Sequence, residues 1–212
     1  MAEVILFRNF KERYSTGISN AVKVVTDVTM SVNSEEEEVP KVYMGNTSYI
    51  LAEEVSFQKY SDTSTTYSAM ELIEGENPLL RPGLAVRYGI NPDNEIASIW
   101  VQAEYDGESG ELTPAFSTAN KYTLYDYDTP ENGSQNFVVG TVKEYDAETE
   151  QLIFTTGDDT EYLLYISAPT LYVYRDERQE LTLTSVAEIV SGDKFVASLD
   201  AYYVPSTMYI FR

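Results

Sequence analysis

The sequence predicts an all-β protein assembled from small barrels in tandem. Three observations carry that expectation. Apolar and polar residues alternate through most of the 212 residues, turn-forming residues interrupt the alternation at short intervals, and two stretches of the chain repeat one order of elements. Alternation of period two marks a half-buried strand. Many short strands separated by turns build barrels or sandwiches rather than βαβ units.

The alternating runs cover residues 23–32, 48–57, 84–90, 95–101, 137–145, 151–155, 161–166, 171–174, 194–199 and 207–211. Asn91-Pro92-Asp93-Asn94, Asp146-Ala147-Glu148-Thr149 and Gly157-Asp158-Asp159 supply the turns between them, because Asn, Asp, Pro and Gly accept the dihedral angles that turns require. Glu35-Glu36-Glu37-Glu38 reads as a self-repelling, solvated hairpin tip. Eighteen tyrosines suit such a chain, since the ring packs on a pleated surface while the hydroxyl reaches water.

Self-similarity sets the domain organisation. Residues 41–51 and 152–164 each read as a strand, a turn of Gly and polar residues, then a strand led by Tyr and aliphatics. Further along, Ser68-Ala69-Met70-Glu71-Leu72-Ile73-Glu74-Gly75 matches Ser185-Val186-Ala187-Glu188-Ile189-Val190-Ser191-Gly192. Both carry Ser-x-x-Glu, the capping box, in which the Ser hydroxyl accepts from the N3 amide and the N3 Glu reaches back to the cap. Gly beyond it permits a left-handed exit. Each copy therefore predicts a short capped helix plugging a barrel end, followed by a closing hairpin. Ordered matches point to duplication. The element order is similar to an OB-fold, a small and partly open barrel. The expected division is a first barrel over 1–101, an acidic linker or hairpin excursion over 102–136, and a second barrel over 137–212. Tyr122-Thr123-Leu124-Tyr125-Asp126-Tyr127 in the excursion is a candidate edge strand.

Composition excludes several functions. With 14 basic and 35 acidic residues the net charge is −21, and a field of that sign repels nucleic-acid phosphates and anionic lipid headgroups. Arg8, Lys11 and Arg13 are too few to form a basic patch. Cysteine and histidine are both absent, which removes thiolate nucleophiles, disulfides, the usual neutral-pH base and the commonest transition-metal ligands. No run approaches the roughly 18 apolar residues that span a bilayer. The opening Met1-Ala2-Glu3-Val4-Ile5-Leu6-Phe7-Arg8 is too short and too acidic for a signal peptide, which leaves a cytoplasmic protein or a mature or excised segment, the second being the expectation.

From Val139-Gly140-Thr141-Val142 through Ser191-Gly192-Asp193-Lys194-Phe195 to Tyr209-Ile210-Phe211, the last third of the chain resembles small β-barrel modules of Firmicutes surface proteins. Such modules often follow S-layer homology repeats, the segments that anchor proteins to the cell wall, although those repeats are not visible in this sequence. The resemblance implies an extracellular, cell-surface spacer or assembly module.

Carboxylates are the remaining chemistry. Glu53, Glu54, Glu95, Glu104, Glu144 and Glu161 fall on strands, but nothing in their spacing marks a hydrolytic pair facing one cleft. Asp106, Glu108 and Glu111, like Asp158 and Asp159, lack the spacing of a calcium loop. Strict alternation would put Ile96, Ser98 and Trp100 opposite Ala97, Ile99 and Val101, making Trp100 a buried or interface residue rather than part of a sugar platform with Tyr88 and Tyr105. The expectation is a non-catalytic structural or assembly module with no catalytic, cofactor-binding or metal-ligating residues. Its partner would be a protein, a cell-wall glycan or another copy, with neither nucleic acid nor membrane involved. A carbohydrate-binding module and a virion or tail structural protein are the alternatives.

Overall fold

A computed structural model describes residues 22–33, 36–59, 64–114, 137–156, 161–200 and 204–212. The fold is all-β, as alternation predicts. Two antiparallel-dominated sheets carry it, one from each half of the chain.

The first sheet contains β1 (Lys23–Val24), β2 (Asp27–Val32), β3 (Glu38–Met44), β4 (Thr47–Gln58), β5 (Thr65–Ser68), β6 (Leu84–Ile90), β7 (Ile96–Asp106) and β8 (Glu111–Pro114). Its order is β1-β6-β7-β4-β3-β2, with β5 added to β4 and β8 to β7. The two ends of that path are consecutive in the chain. Between them the Val25 amide donates to the Leu84 carbonyl at 2.8 Å while the next amide, of Thr26, donates to Tyr43 at 2.8 Å. One strand thus changes ladders in a single step, and the expected run 23–32 is two strands around a corner.

The second sheet contains β9 (Phe137–Asp146), β10 (Gln151–Thr155), β11 (Glu161–Tyr165), β12 (Thr170–Arg175), β13 (Glu180–Thr184), β14 (Lys194–Leu199) and β15 (Pro205–Phe211), in the order β11-β10-β9-β14-β15-β12-β13. The pairing scheme echoes that of the first. A late strand runs parallel to a middle one in each, β7 beside β4 and β15 beside β12, and that late strand pairs antiparallel with the one before it, β7 with β6 and β15 with β14. A short added strand also follows the middle one in each, β5 on β4 and β13 on β12.

The predicted turns form by side-chain capping. Asn91 Oδ1 accepts from the amides of Asp93 and Glu95, and Asn94 takes a positive φ of 65°. Asp146 Oδ1 accepts from Glu148 while its Oδ2 accepts from the Thr149 hydroxyl. Asp106 repeats this with Glu108 and Ser109. The 157–159 turn lies outside the described residues, as do residues 1–21 with Arg8, Lys11 and Arg13, Glu35 of the acidic hairpin tip, and the candidate strand at 122–127.

The capping box at Ser68 forms as predicted. Helix α1 (Ala69–Ile73) has Ser68 as N-cap, its hydroxyl accepting from the Glu71 amide while Glu71 Oε2 accepts from the Ser68 amide at 2.8 Å. Leu72 is fully buried beneath it. The matching prediction at Ser185 fails. Val186–Glu188 is a single 3-10 turn with no side-chain cap, because the Glu188 amide donates to the Ser185 backbone carbonyl at 3.0 Å and leaves the hydroxyl nothing to cap. The excursion expected from residue 102 also begins later, since 102–106 complete β7 and 111–114 pair with it as β8. Residues 115–136 lie outside the described residues.

The described residues form three apolar cores. One lies inside the first sheet around Val42, Leu72, Leu84 and Ile99, and one inside the second around Leu152, Phe154, Phe195 and Ile210. The third draws on both sheets.

Candidate functional site

The feature that distinguishes this molecule is the third core, and local sequence explains how each sheet reaches it. In the second sheet the alternation along β14 is unbroken but apolar on both sides. Along β14 and β15, Phe195, Ala197, Met208 and Ile210 enter the sheet's own core, while Val196, Tyr209 and Phe211 face the other way. Strands buried on both faces read as nearly continuous apolar runs, as 194–199 does.

The first sheet reaches the same place through β-bulges. On β7, Ile99 and Val101 enter its own core but Ala103 and Tyr105 enter the shared one, although all four are odd-numbered. The register with β6 explains the change: Val86 faces Val101 and Ala85 faces Ala103, so Gln102 is an extra residue that flips every later side chain. A second bulge at Ala97 lets Ile96 and Ile99 share a face. The expectation that Ile96, Ser98 and Trp100 sit together is therefore corrected, since the partner strand decides where period two breaks.

Gln102 is 4% exposed. Its Nε2 donates to the Trp100 carbonyl at 2.9 Å, and its Oε1 has no hydrogen-bond partner among the described residues. Buried amides usually find partners for both ends.

Aromatic rings close the joint. Tyr105 meets Tyr174 edge-on at 6.2 Å and Phe211 at 5.2 Å, and Tyr174 lies 5.7 Å from Phe211. Burial pushes the Tyr174 hydroxyl well above its ordinary range, the Asp176 carboxylate reinforces this, and the hydroxyl donates to Asp176 Oδ1 at 3.3 Å. Tyr209 is raised by burial and then by Tyr172, which stacks on it at 5.5 Å. Gly83 has a φ of 86°, and a Cβ there would stand 2.9 Å from the Tyr105 carbonyl oxygen. Gly107 leaves room for the Asp176 carboxylate of the other sheet. The Val22 amide donates to Ser198 Oγ at 3.0 Å across the two sheets.

The Gly192-Asp193-Lys194 step is a second joint, within the second sheet. Asp193, 5% exposed, accepts from Arg212 Nε at 2.8 Å and Nη2 at 2.6 Å, and its Oδ2 also accepts from the Val190 amide. Arg212 Nη2 further donates to the Glu188 carbonyl at 2.6 Å. Lys194 Nζ donates to Thr141 Oγ1 at 3.1 Å.

The strand carboxylates are scattered. Glu53, Glu54, Glu144 and Glu161 are exposed, with Glu161 paired to Lys143. Glu95 accepts from Asn91 Nδ2 at 2.8 Å. Glu104 is held instead of solvated, paired with Arg81 and lying 2.6 Å from Lys59, with its side chain 14% exposed. Asp106 is engaged in its own turn, Asp158 and Asp159 lie outside the described residues, and no group of three metal-ligating side chains occurs among the described residues. Trp100 and Tyr88 point to opposite faces of their sheet, because Tyr88 pairs with core-facing Ile99 and Arg87 with Trp100. Tyr105 is buried in the joint, so the three aromatics form no shared platform.

Sequence reasoning missed the joint, Gln102, Arg212 and strand β13. Two signals were present: apolar residues on both faces of 194–199 and 207–211, and a repeated Glu-Tyr-Asp-x-Glu-Ser/Thr-x-x-Leu at 104–112 and 144–152 that builds the same capped turn twice. No helix among the described residues is long and apolar enough to cross a membrane. No protein-family model matches the chain, and no curated protein matches it.

Proposed function

We propose that the chain is a non-catalytic structural module of a bacterial surface protein, two tandem OB-like barrels joined back to back through a shared apolar face. The barrel reading is supported by the way each ladder returns on itself. In the first, β1 and β2 adjoin at Val25–Thr26 and stand at opposite ends of the order; in the second, the consecutive strands β11 and β12 stand at one end of the order and next to the other. The parallel pairs β4–β7 and β12–β15, one in each half, support an OB-like arrangement of both. In this reading the first barrel runs from β1 to β8 and the second from β9 to β15.

The observation that carries the functional reading is the shared core. Its buried aromatics, Tyr105, Tyr174, Tyr209 and Phe211, weld two units that would otherwise turn about a linker. Relative motion is the default between domains unless the interface is large and apolar. A module whose task is spacing or assembly benefits from that stiffness. The cell-surface location rests on the resemblance of the last third to Firmicutes surface modules, and the net charge of −21 suits a soluble, solvated exterior.

The test is a purified-chain screen against a glycan array and a panel of polysaccharide substrates. The expected outcome is neither capture nor turnover. Specific glycan capture would move the assignment to a carbohydrate-binding module, and turnover would overturn the non-catalytic reading.

A further inference from the structure

The shared core does not end at the sheet boundary. Along its face of the second sheet, Tyr209 stacks on Tyr172, and Tyr172 is paired across the ladder with Leu183 on β13. Tyr172 and Leu181 are half-buried against the core, but Leu183 is 67% exposed, more than any other large apolar side chain of the described residues. The apolar face therefore runs from the sealed joint out to an open rim.

Among the described residues β13 is the last strand of its sheet and pairs only with β12. Proteins usually blunt such edges with Lys, Pro, a bulge or brevity. The other short edges follow that rule: β5 and β8 have four residues each, β8 ends on Pro114, and β11 opens on the Lys143–Glu161 ion pair. β13 has five residues in unbroken register with β12, without Lys, Pro or bulge. It is also an oasis of low charge on a molecule of net charge −21, since residues 179–187 contain one charged side chain, Glu180.

We propose that β13 is a self-association edge, pairing antiparallel with β13 of a second copy of this chain about a two-fold axis through Thr182. The sequence Glu180-Leu181-Thr182-Leu183-Thr184 is self-complementary in that register. Leu181 falls opposite Leu183 of the second copy, Thr182 opposite itself, and Glu180 opposite Thr184, so no like charges face each other. Both Leu side chains of each copy lie on the face of the shared core, which the dimer extends into one apolar seam. Two-fold symmetric pairing is the commonest way in which identical chains associate, and edge-strand addition supplies main-chain hydrogen bonds along the seam. Because one five-residue edge buries little area, the association is weak and reversible. Both copies are strongly acidic, so salt strengthens it by screening their repulsion.

This inference deepens the assembly reading and rests on it. The chain has no cysteine, which makes disulfide trapping clean. Opposed Cα atoms in an antiparallel pair are about 4.5 or 5.5 Å apart, within the roughly 4.4–6.8 Å that a disulfide spans. Under mild oxidation Thr182→Cys is expected to give a covalent dimer, doubling the 23.9 kDa chain mass. Glu180→Cys alone should stay monomeric, yet cross-link when mixed with Thr184→Cys. Light scattering on the unmodified protein should show mass rising with concentration and with NaCl, and Leu183→Lys should abolish that rise while the circular dichroism spectrum is retained. A Thr182→Cys protein that stays monomeric, or one that cross-links no better than Glu180→Cys alone, overturns the proposal. That failure is distinguishable from failure of the structural reading, which only glycan capture or turnover decides.

Discussion

Tyr105 of the first sheet and Phe211 of the second lie with ring centroids 5.2 Å apart, and Tyr174 touches both. Of these three rings only Tyr105 comes from the first half of the chain. It reaches the cluster because Gln102 shifts the register of β7 three residues earlier. The aromatic part of the coupling therefore passes through one bulge and one ring, beside Val22, Val24, Ala85 and Ala103 of the same core.

Tyr105→Ala should cost about 3–5 kcal/mol, the range for deleting a large buried aromatic. It should also split thermal unfolding into two transitions as the halves lose their contact. Scanning calorimetry reads both effects. A single transition with an unchanged midpoint would show that the rings do not couple the sheets.

Deleting Gln102 should be far worse than replacing it. Gln102→Met keeps the bulge, removes the unpartnered Oε1 and loses one bond to the Trp100 carbonyl, for a net change within about 1 kcal/mol. Deletion restores period two and turns Ala103 and Tyr105 away from the joint. Near-ultraviolet circular dichroism, sensitive to tyrosine packing, should collapse for the deletion and persist for Met. Equal spectra would disprove the register argument.

The two Ser-x-x-Glu segments should respond differently. Ser68→Ala removes a working N-cap and should destabilise by about 1 kcal/mol. Ser185→Ala, at a turn with no side-chain cap, should stay within about 0.5 kcal/mol. The Ser68 effect should also depend on pH. Hydrogen bonds from the Ser68 backbone and side chain hold the Glu71 carboxyl below its ordinary value of 4.5. A lowered folded-state pKa contributes stability above the unfolded value and loses it as pH falls through the folded one. In chemical denaturation the gap between the wild type and Ser68→Ala should narrow in acid below that range, and a gap independent of pH would contradict the capping-box account.

Alkali should open the joint. Burial raises Tyr174 and Tyr209 above the ordinary tyrosine value of 10.0. A raised folded-state pKa leaves stability complete below 10.0 and erodes it as pH climbs toward the folded value. Stability should therefore be flat to that point and decline above it, and the double variant Tyr174→Phe/Tyr209→Phe should flatten the decline. Ultraviolet titration of tyrosinate alongside unfolding would check this, and an identical alkaline profile in the double variant would refute it.

Much of the fold was legible because its signals are local. Alternation located the strands between 84–90 and 207–211 except β8 and β13, and Asn91 and Asp146 announced turns that their own carboxamide and carboxylate groups close. Ser68 and Glu71 specify a capped helix within four residues. Strand β13 escaped notice because Glu180-Leu181-Thr182-Leu183-Thr184 is short and follows β12 through a three-residue 3-10 turn, with Gln179 at a φ of 50°. Nothing in the spacing of Glu104, Arg81 and Lys59 foretold that they would meet.

By itself, then, the sequence determined that this is an all-β chain with a repeated order of strands, without histidine or cysteine chemistry, and with a capping box at Ser68. Tertiary structure decided which ladder each strand joins, where Ala97 and Gln102 bulge, that the second Ser-x-x-Glu makes a 3-10 turn, and that the two sheets share a core. The physical reason is that capping and alternation depend on neighbours a few residues away. Register and the choice of face depend on the opposing strand, which the chain meets only after it has folded.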